Sequence, residues 1–462
     1  MSRVAHALLP HRLVVAAGLA GPVVALGAVP ALQFADWAWV SLCLAAPVVV
    51  WGAAPFHRSA WRALRRGTAT TETLLSAAVL AATGWSLALL SPGEAGTAAL
   101  RDRFWALPGR SPAPGDHLYL AVAVVLTIVA LAGRTWSPAR AGSGGAGPYA
   151  VLVAVLAGGA FGFWFTAGGP GRATGAAAAV LVAACPAAVA LAAPVAHALA
   201  SRRGRQLGVG VRTPAGLERA TQVDTIVLIP ADLTGTGRRN GNGNGAGHSA
   251  GSGTRDGGDG DEAGGKAADL VVEPAAAGAV TALRSLGLRT VLLTPADPQG
   301  SLALAGRVGI AEVFAEIVPR DRATVVRRLQ NEGRVVAFVG DAADVHDRSA
   351  LAQADLGLAC GGGPGPDLGP GGDGDGHVGL ADGDLWNATD AVRLARATRH
   401  TTGRNEALAF AASAAVLPLA AAGLLTPLVV LAAPALAGVA ILANSLRLRT
   451  FRSARPAAHQ RP

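Results

Sequence analysis

The stretch DTIVLIPADLTGTG, residues 224–237, carries an apolar run into Asp232 and a Thr-Gly-Thr turn. A carboxylate so placed is a candidate phosphoryl acceptor, because it can form a covalent aspartyl-phosphate. Three more polar residues close apolar runs downstream: Thr294 and Asp297 after RTVLL, and Asp341 after RVVAFVG. Carboxylates gathered at strand ends suit Mg²⁺, which prefers oxygen ligands and bridges phosphate oxygens during phosphoryl transfer.

For these residues to meet, the apolar runs must be neighbouring strands. DTIVLI, RTVLLT, RVVAFVGD and ADLGLAC read as strands, and PAAAGAVTALRSLG and RDRATVVRRLQNEG as amphipathic helices between them. Such alternation predicts a parallel sheet with helices on both faces, whose ligands collect at the carboxyl ends of the strands.

The remainder of the chain is of a different kind. Its 462 residues are 51% hydrophobic and 15% charged, with apolar runs longer than a water-soluble domain needs. Candidate spans lie at 13–32, 37–55, 72–90, 117–133, 149–168, 175–199, 406–424 and 426–444. Each suits a hydrocarbon layer of roughly 30 Å at about 1.5 Å per residue. The first span follows a few basic residues like a secretory signal, but more spans follow it and no clear small-x-small cleavage pattern does, so it reads as an anchor.

The net charge of +9 does not mark a nucleic-acid binder, since the arginines flank spans and form no patch with interleaved aromatics. Arg58, Arg62, Arg65 and Arg66 follow the second span, Arg134 and Arg140 the fourth, Arg202, Arg203 and Arg205 the sixth, and Arg447, Arg449 and Arg452 the eighth. All fall on one side, which the positive-inside rule makes cytoplasmic together with both termini. A multi-pass protein of the cell membrane is expected, with the lipid bilayer as its constant partner. His57 and Trp61, among arginines at about 56–66, read as an interfacial helix. Cys43, Cys185 and Cys360 are too widely spaced for a disulfide framework or a CxxC site, and a lone cysteine in a span reads as a small packed hydrophobe. His346 and His377 read as solvated.

RTWSPARAGSGGAGP (134–148), the Gly-rich run over 237–267 and GGGPGPDLGPGGDGDGHVGL (361–380) lack the bulky apolar residues a fold requires and read as linkers or loops. The third has no calcium-loop ligand spacing. The expected division is therefore 1–133 (four spans with the interfacial helix), 134–148 (linker), 149–200 (spans five and six), 201–236 (stalk and first strand), 237–267 (linker), 268–400 (rest of the α/β domain), 401–446 (last two spans) and 447–462 (basic tail).

TIVLIPADLTGTG, LRSLGLRTVLLTPAD and EIVPRDRATVVRRLQNEGRVVAFVGDAADVHDRSALAQADLGLA together resemble the phosphorylation domain of P-type ATPases, in particular their heavy-metal class. LVAACPAAVALAAPVAHALASRRGRQLGVGVRTPAGLERATQVDTIV resembles the sixth helix and stalk of the copper-type pumps, and NEALAFAASAAVLPLAAAGLLTPLVVLAAPALAGVAILANSLRLRTFR their last two helices. PALQFADWAWVSLCLAAPVVVWGAAPFHRSAWRALRRGTATTETLLS resembles their first helices and amphipathic platform, with Gly52 as one of the kinking glycines. The resemblance implies an α-helical membrane protein of about eight spans with a cytosolic α/β domain of haloacid-dehalogenase type.

The resemblance also assigns residues. Asp-Lys-Thr-Gly-Thr becomes DLTGT, with Asp232 as nucleophile and Thr234 beside it, but a gap-free alignment from VDTIV puts the nucleophile position at Ile229. Asp232 is thus either a displaced nucleophile or a chance match. The phosphate-neutralising Lys becomes Leu233 within the motif and Arg322 at the later position; Thr294 is the implied phosphate donor. Asp341 is the implied Mg²⁺ ligand, with a second carboxylate in Asp344 or Asp347. The transported-ion candidate is Cys185, whose Cys-Pro-Cys partner is Ala187, while Pro186 implies a helix break. The other ion-site positions are Ala412, Ser413, Pro434, Ala437 and Gly438, and the chain's single methionine is Met1, a poor set for Cu(I) or another soft metal.

Two family domains have no visible counterpart. The actuator's Thr-Gly-Glu is missing between spans four and five, Gly93 and Glu94 lying elsewhere, and a Gly-rich run stands where the nucleotide domain and its ATP pocket belong. The expectation is a catalytically impaired member with a structural or regulatory role, partnered by an intact P-type ATPase or a metal chaperone. The alternatives are an active ATP-driven exporter using Asp232, Asp341 and Cys185, and a membrane-tethered Mg²⁺-dependent phosphatase.

Overall fold

The computed structural model describes residues 3–90, 118–136, 147–184, 188–211, 213–234, 271–360, 377–381 and 384–456. It divides into two units, one of Met1–Ala196 with Thr402–Ser445, the other of His197–Thr401 with Leu446–Pro462.

The first unit begins with α1 (Arg3–Ala28), α2 (Trp37–Pro47), α3 (Ala54–Leu64), α4 (Thr71–Leu90), α5 (Leu120–Trp136) and α6 (Gly147–Ala183). Between α2 and α3 a five-residue π turn ending at Gly52 accompanies a bend of 52°, with Pro47 just before it and Pro55 in the first turn of α3 removing backbone donors there, both usual causes of a sharp kink. After the bend, α3 buries Phe56 and Ala60 and exposes Arg58, Trp61 and Arg62, as an interfacial helix should. His57 points inward: its Nε2–H donates to Val49 O at 3.1 Å and its Nδ1 lies 2.7 Å from Ser76 Oγ. Arg134 ties three helices together, pairing with Glu72 at 2.9 Å while stacking 4.9 Å over the Phe56 ring.

In α6 the helix breaks at Gly169, whose φ of 81° and ψ of 176° suit glycine alone, and Pro170 follows. The next helix, α7, spans Val189–Gln206. The expected span 175–199 is therefore not one helix: α6 stops at Ala183 and α7 starts at Val189, with Cys185, Pro186 and Ala187 outside the described residues.

The second unit holds β1 (Val209–Val211), α8 (Pro214–Ala220), β2 (Thr225–Leu228), α9 (Pro230–Thr234), α10 (Pro274–Ser285), β3 (Arg289–Leu293), α11 (Pro298–Val308), β4 (Glu312–Phe314), α12 (Arg322–Asn331), β5 (Val336–Asp341), α13 (Val345–Gln353), β6 (Leu356–Cys360) and β7 (Val378–Leu380). They build a seven-stranded sheet in the order β1-β7-β6-β5-β2-β3-β4, parallel except where β1 meets β7. Burial on both faces explains why the central strands read as unbroken apolar runs. Val227, Val291, Val336 and Phe338 are fully buried in one core cluster. The chain leaves β2 for β3 and β4 on one side and returns to β5 on the other, so a switch point opens beside the end of β2, where such sheets bind ligands.

Two further helices close the fold, α14 (Leu385–Ala421) and α15 (Pro427–Leu446). The expected boundary at residues 400 and 401 falls inside α14, which belongs to both units. Among the described residues, α4, α6, most of α1, and α15 with the short turn after it are long and apolar enough to cross a membrane alone, and α2 with α3 reaches that length only when the bent pair is counted together. That is fewer than the eight expected; α5 is a shorter apolar helix, and α7 and α14 include charged residues. Val151 and Phe163 of α6 and Leu436 and Val439 of α15 are exposed apolar residues, as lipid contact requires.

Small residues and backbone carbonyls knit the first unit. A Cβ on Gly133 would lie 2.3 Å from Ala190 O, so glycine is required where α5 meets α7. Trp164 Nε1 donates to Ala421 O at 2.9 Å and Tyr119 Oη to Leu425 O at 3.2 Å. Asn405 Nδ2 donates to Ala192 O at 3.1 Å and to Ser445 Oγ at 2.8 Å, and its Oδ1 accepts from Asn444 Nδ2 at 2.8 Å.

Candidate functional site

The site assembles at the carboxyl edge of the sheet. Strand β2 ends at Leu228, and Pro230 then opens the single turn α9, a position where the missing N–H of proline costs nothing. That turn folds Asp232 back on the chain: its Oδ2 accepts the Ile229 N–H at 2.9 Å. The Asp232 carboxylate thus lies against the backbone amide of the residue that the strand phase marks. Burial holds its carboxyl well above the usual carboxylate range; the Ile229 N–H and Arg322 oppose the rise, and Asp347 and Asp341 add to it.

Next to β2, strand β5 ends in Gly340 and Asp341. Asp347, in the first turn of α13, accepts the Asp341 N–H on Oδ2 at 3.0 Å and forms a buried ion pair through Oδ1 with Arg322. A Cβ on Gly340 would lie 2.6 Å from the Phe338 ring and 3.0 Å from Asp347 Oδ2, so only glycine admits this approach. Burial raises the Asp347 carboxyl, against the pull of Arg322 and the Asp341 N–H. Of the two carboxylates left open by the sequence, Asp347 is the one at the site. Asp344 is exposed and caps α13, accepting the His346 N–H at 2.7 Å.

Other expected residues stand elsewhere in the chemistry. Thr294 is buried at the end of β3, its hydroxyl accepting the Ala296 N–H at 3.2 Å. Asp297, at the same sheet edge in the sequence reading, is the N-cap of α11 and accepts the Gly300 N–H at 3.0 Å. Thr234 donates its hydroxyl to Pro230 O at 3.1 Å. His377 is half-buried rather than fully solvated: its ring packs where a side chain on Gly357 would sit, and burial, with Arg219 nearby, pulls its pKa down. His346 is exposed.

Sequence reasoning missed Cys360. It ends β6 in register with Asp341, buried, and burial together with Asp232, Asp341 and Asp347 drives its thiol above the ordinary range. It is therefore a neutral thiol wall. Its sign in the sequence was its place as the last letter of ADLGLAC, which gains meaning only once β6 is paired with β5.

No group of three or more His, Cys, Asp or Glu side chains able to hold a metal occurs among the described residues. Asp347 is committed to Arg322 and Asp344 to the helix terminus, leaving Asp232 and Asp341 outside any ion pair. Cys185 lies outside the described residues. Ala437 packs with Ala188, Ala409 and Ile441, and Ser413 is buried in α14. Chemically, the cluster offers the strand-end carboxylate of Asp341 beside the buried carboxyl of Asp232, with the guanidinium of Arg322 already engaged by Asp347.

No known protein-family profile matches the sequence. The chain is 30% identical to a copper-exporting P-type ATPase of Mycobacterium tuberculosis, over 658 aligned positions covering 95% of this chain and 84% of that protein. It is 29% identical to the cation-transporting P-type ATPase B of Mycobacterium bovis, covering 97% and 87% of the two chains. Over 180 residues, 39% of this chain and 22% of the other, it is 41% identical to a probable copper-exporting P-type ATPase V of Mycobacterium tuberculosis. Its fold matches the crystal structure of a zinc-transporting PIB-type ATPase in the E2.Pi state, with a TM-score of 0.63, 17% identity and coverage of 96% of this chain and 100% of that one.

Proposed function

The chain belongs to the heavy-metal P-type ATPases, and from that membership we propose that it is a pseudo-ATPase, a membrane protein with a structural or regulatory role in place of ATP-driven transport. The observation that carries this reading is the length of chain between elements: residues 137–146 join α5 to α6, and residues 235–270 join α9 to α10. Gly-rich segments this short bury too little surface for a domain, since about 40 residues is the usual lower limit without added cross-links. A P-type cycle needs a nucleotide domain at the second junction and an actuator at the first. The alignment with the copper exporter supports the reading, as its 658 positions far exceed the 462 residues of this chain.

Mg²⁺ is the ion this family uses for phosphoryl chemistry. Asp341 is the carboxylate left to hold it, since Asp347 pairs with Arg322 and burial opposes ionisation of Asp232, and bound there it would supply charge neutralisation at a phosphate. Arg322, already neutralised by Asp347, holds Asp347 in place and is poorly disposed to bind phosphate alone. Copper enters through the relatives; here the lone Cys185 and the lack of methionine in any span leave a soft ion short of ligands. An intact P-type ATPase is the proposed partner.

Equilibrium binding of ATP to the purified full chain tests the proposal. No saturable binding is expected across the substrate range of about 1 µM to 1 mM, under conditions where an intact relative binds; saturable binding in that range contradicts it.

A second reading rests on the bond from the Ile229 N–H to Asp232, which supports a nucleophile displaced in sequence alone. Mg²⁺-dependent hydrolysis of p-nitrophenyl phosphate that needs no ATP and disappears in Asp232→Asn would favour a tethered phosphatase.

A further inference from the structure

A cavity of about 160 Å³ in the second unit is lined by Leu199, Arg202, Arg203, Gln206 and Arg449. Its walls come from two distant parts of the sequence. One is the last two turns of α7; the other is the short turn Arg447–Thr450 that directly follows the apolar helix α15. Arg203 is held in place, its Nε donating to Phe451 O at 2.8 Å and Nη1 to Gln206 Oε1 at 2.9 Å. Of the five N–H donors of a guanidinium, others remain for a ligand. Arg202 and Arg449 are exposed and make no ion pair with a described carboxylate.

Setting membrane topology requires basic residues beside spans but not their convergence on one cavity. Three guanidiniums around a small space repel one another unless an anion joins them, and planar forks suit phosphate oxygens. The cavity sits where the chain leaves a membrane helix, and Leu199 gives it an apolar wall. We propose that Arg202, Arg203 and Arg449 bind the phosphate of an anionic lipid headgroup. Such a lipid bridges the segment after α15 to α7, the helix whose continuation through β1 and α8 reaches β2 and Asp232. Basic pockets at helix ends are where lipid phosphates are recognised.

The test is native mass spectrometry of the full chain released from nanodiscs of equal phosphatidylglycerol and phosphatidylcholine. Wild type should retain phosphatidylglycerol over phosphatidylcholine by about tenfold, and Arg202→Gln/Arg449→Gln should lose most of that preference, since each basic side chain near a lipid surface contributes on the order of 1 kcal/mol. Both residues are exposed, so the variant should fold, and Arg320→Gln/Arg328→Gln, with the same charge change elsewhere, should keep the preference. Equal retention of the two lipids, or an unchanged double variant, overturns the proposal. Binding of inorganic phosphate to the lipid-free protein that displaces phosphatidylglycerol would assign the cavity to free phosphate and overturn the lipid assignment.

Discussion

At the edge of the sheet a buried ion pair, Arg322 with Asp347, has Asp232 and Asp341 beside it, whereas where α7, α14 and α15 meet in the membrane unit the converging polar groups are neutral, Asn405, Asn444 and Ser445; that unit's own buried ion pair, Arg134 with Glu72, joins α5 to α4. Buried charge is costly unless paired, so a fold that keeps such a pair without use for it forgoes a cheaper apolar core. The amide cluster costs little, because every donor of Asn405 finds a carbonyl or hydroxyl. The contrast teaches that the α/β unit concentrates buried charge at its sheet edge, while this junction of the membrane helices is closed by neutral hydrogen bonds.

The sharpest way to break the contrast is Arg322→Ala. It leaves Asp347 buried without its partner, and a loss of about 3–5 kcal/mol is expected, read as a large drop in the thermal midpoint of the full chain in detergent. The double variant Arg322→Met/Asp347→Leu should recover most of it. Gly340→Ala comes next. Its Cβ meets Phe338 and Asp347 at 2.6 and 3.0 Å, so about 1–3 kcal/mol should be lost to overpacking in the same assay. In the membrane unit, Asn405→Ala removes the bonds to Ala192, Ser445 and Asn444. Polar contacts between membrane helices average about 0.6 kcal/mol and reach about 2, so a modest destabilisation is expected with no change in metal content measured by elemental analysis.

The smallest effect has the opposite sign. Burial raises the Asp232 carboxyl, so the folded chain keeps a proton that the unfolded chain releases above about pH 4. Stability then falls as pH rises from there through the raised value. Asp232→Asn should stabilise the protein by on the order of 1 kcal/mol at neutral pH, the gain shrinking to nothing as the pH is lowered into the ordinary carboxylate range. Thermal midpoints of both proteins across pH measure it, and a constant difference would refute the assigned burial.

The main strands and helices of the α/β unit were legible because each is one continuous apolar run or one amphipathic period. β1, β4 and β7 were not, being three residues each, too short for periodicity to register. For Asp232 the strand phase left two readings open: Pro230 signalled a helical turn, and only the folded turn shows the carboxylate accepting the Ile229 N–H. Asp297-Pro298 carried the cap-and-proline signature of a helix start and was read as a site residue. The choice between Asp344 and Asp347, and the presence of Cys360, depended on pairing of β5 with β6, which spacing cannot encode. Polar letters around Thr401 suggested a boundary, and the two units divide between Thr401 and Thr402, although α14, with no proline before Pro418, continues through that point.

The most direct test of the pseudo-ATPase account is acid-stable labelling of the protein with radiolabelled ATP and Mg²⁺, in membranes with and without Cu(I), beside Asp232→Asn. The account predicts no label where an intact relative labels well. Label that is present in the wild type and absent from Asp232→Asn would contradict it, and would make Asp232 the phosphoryl acceptor of a working pump.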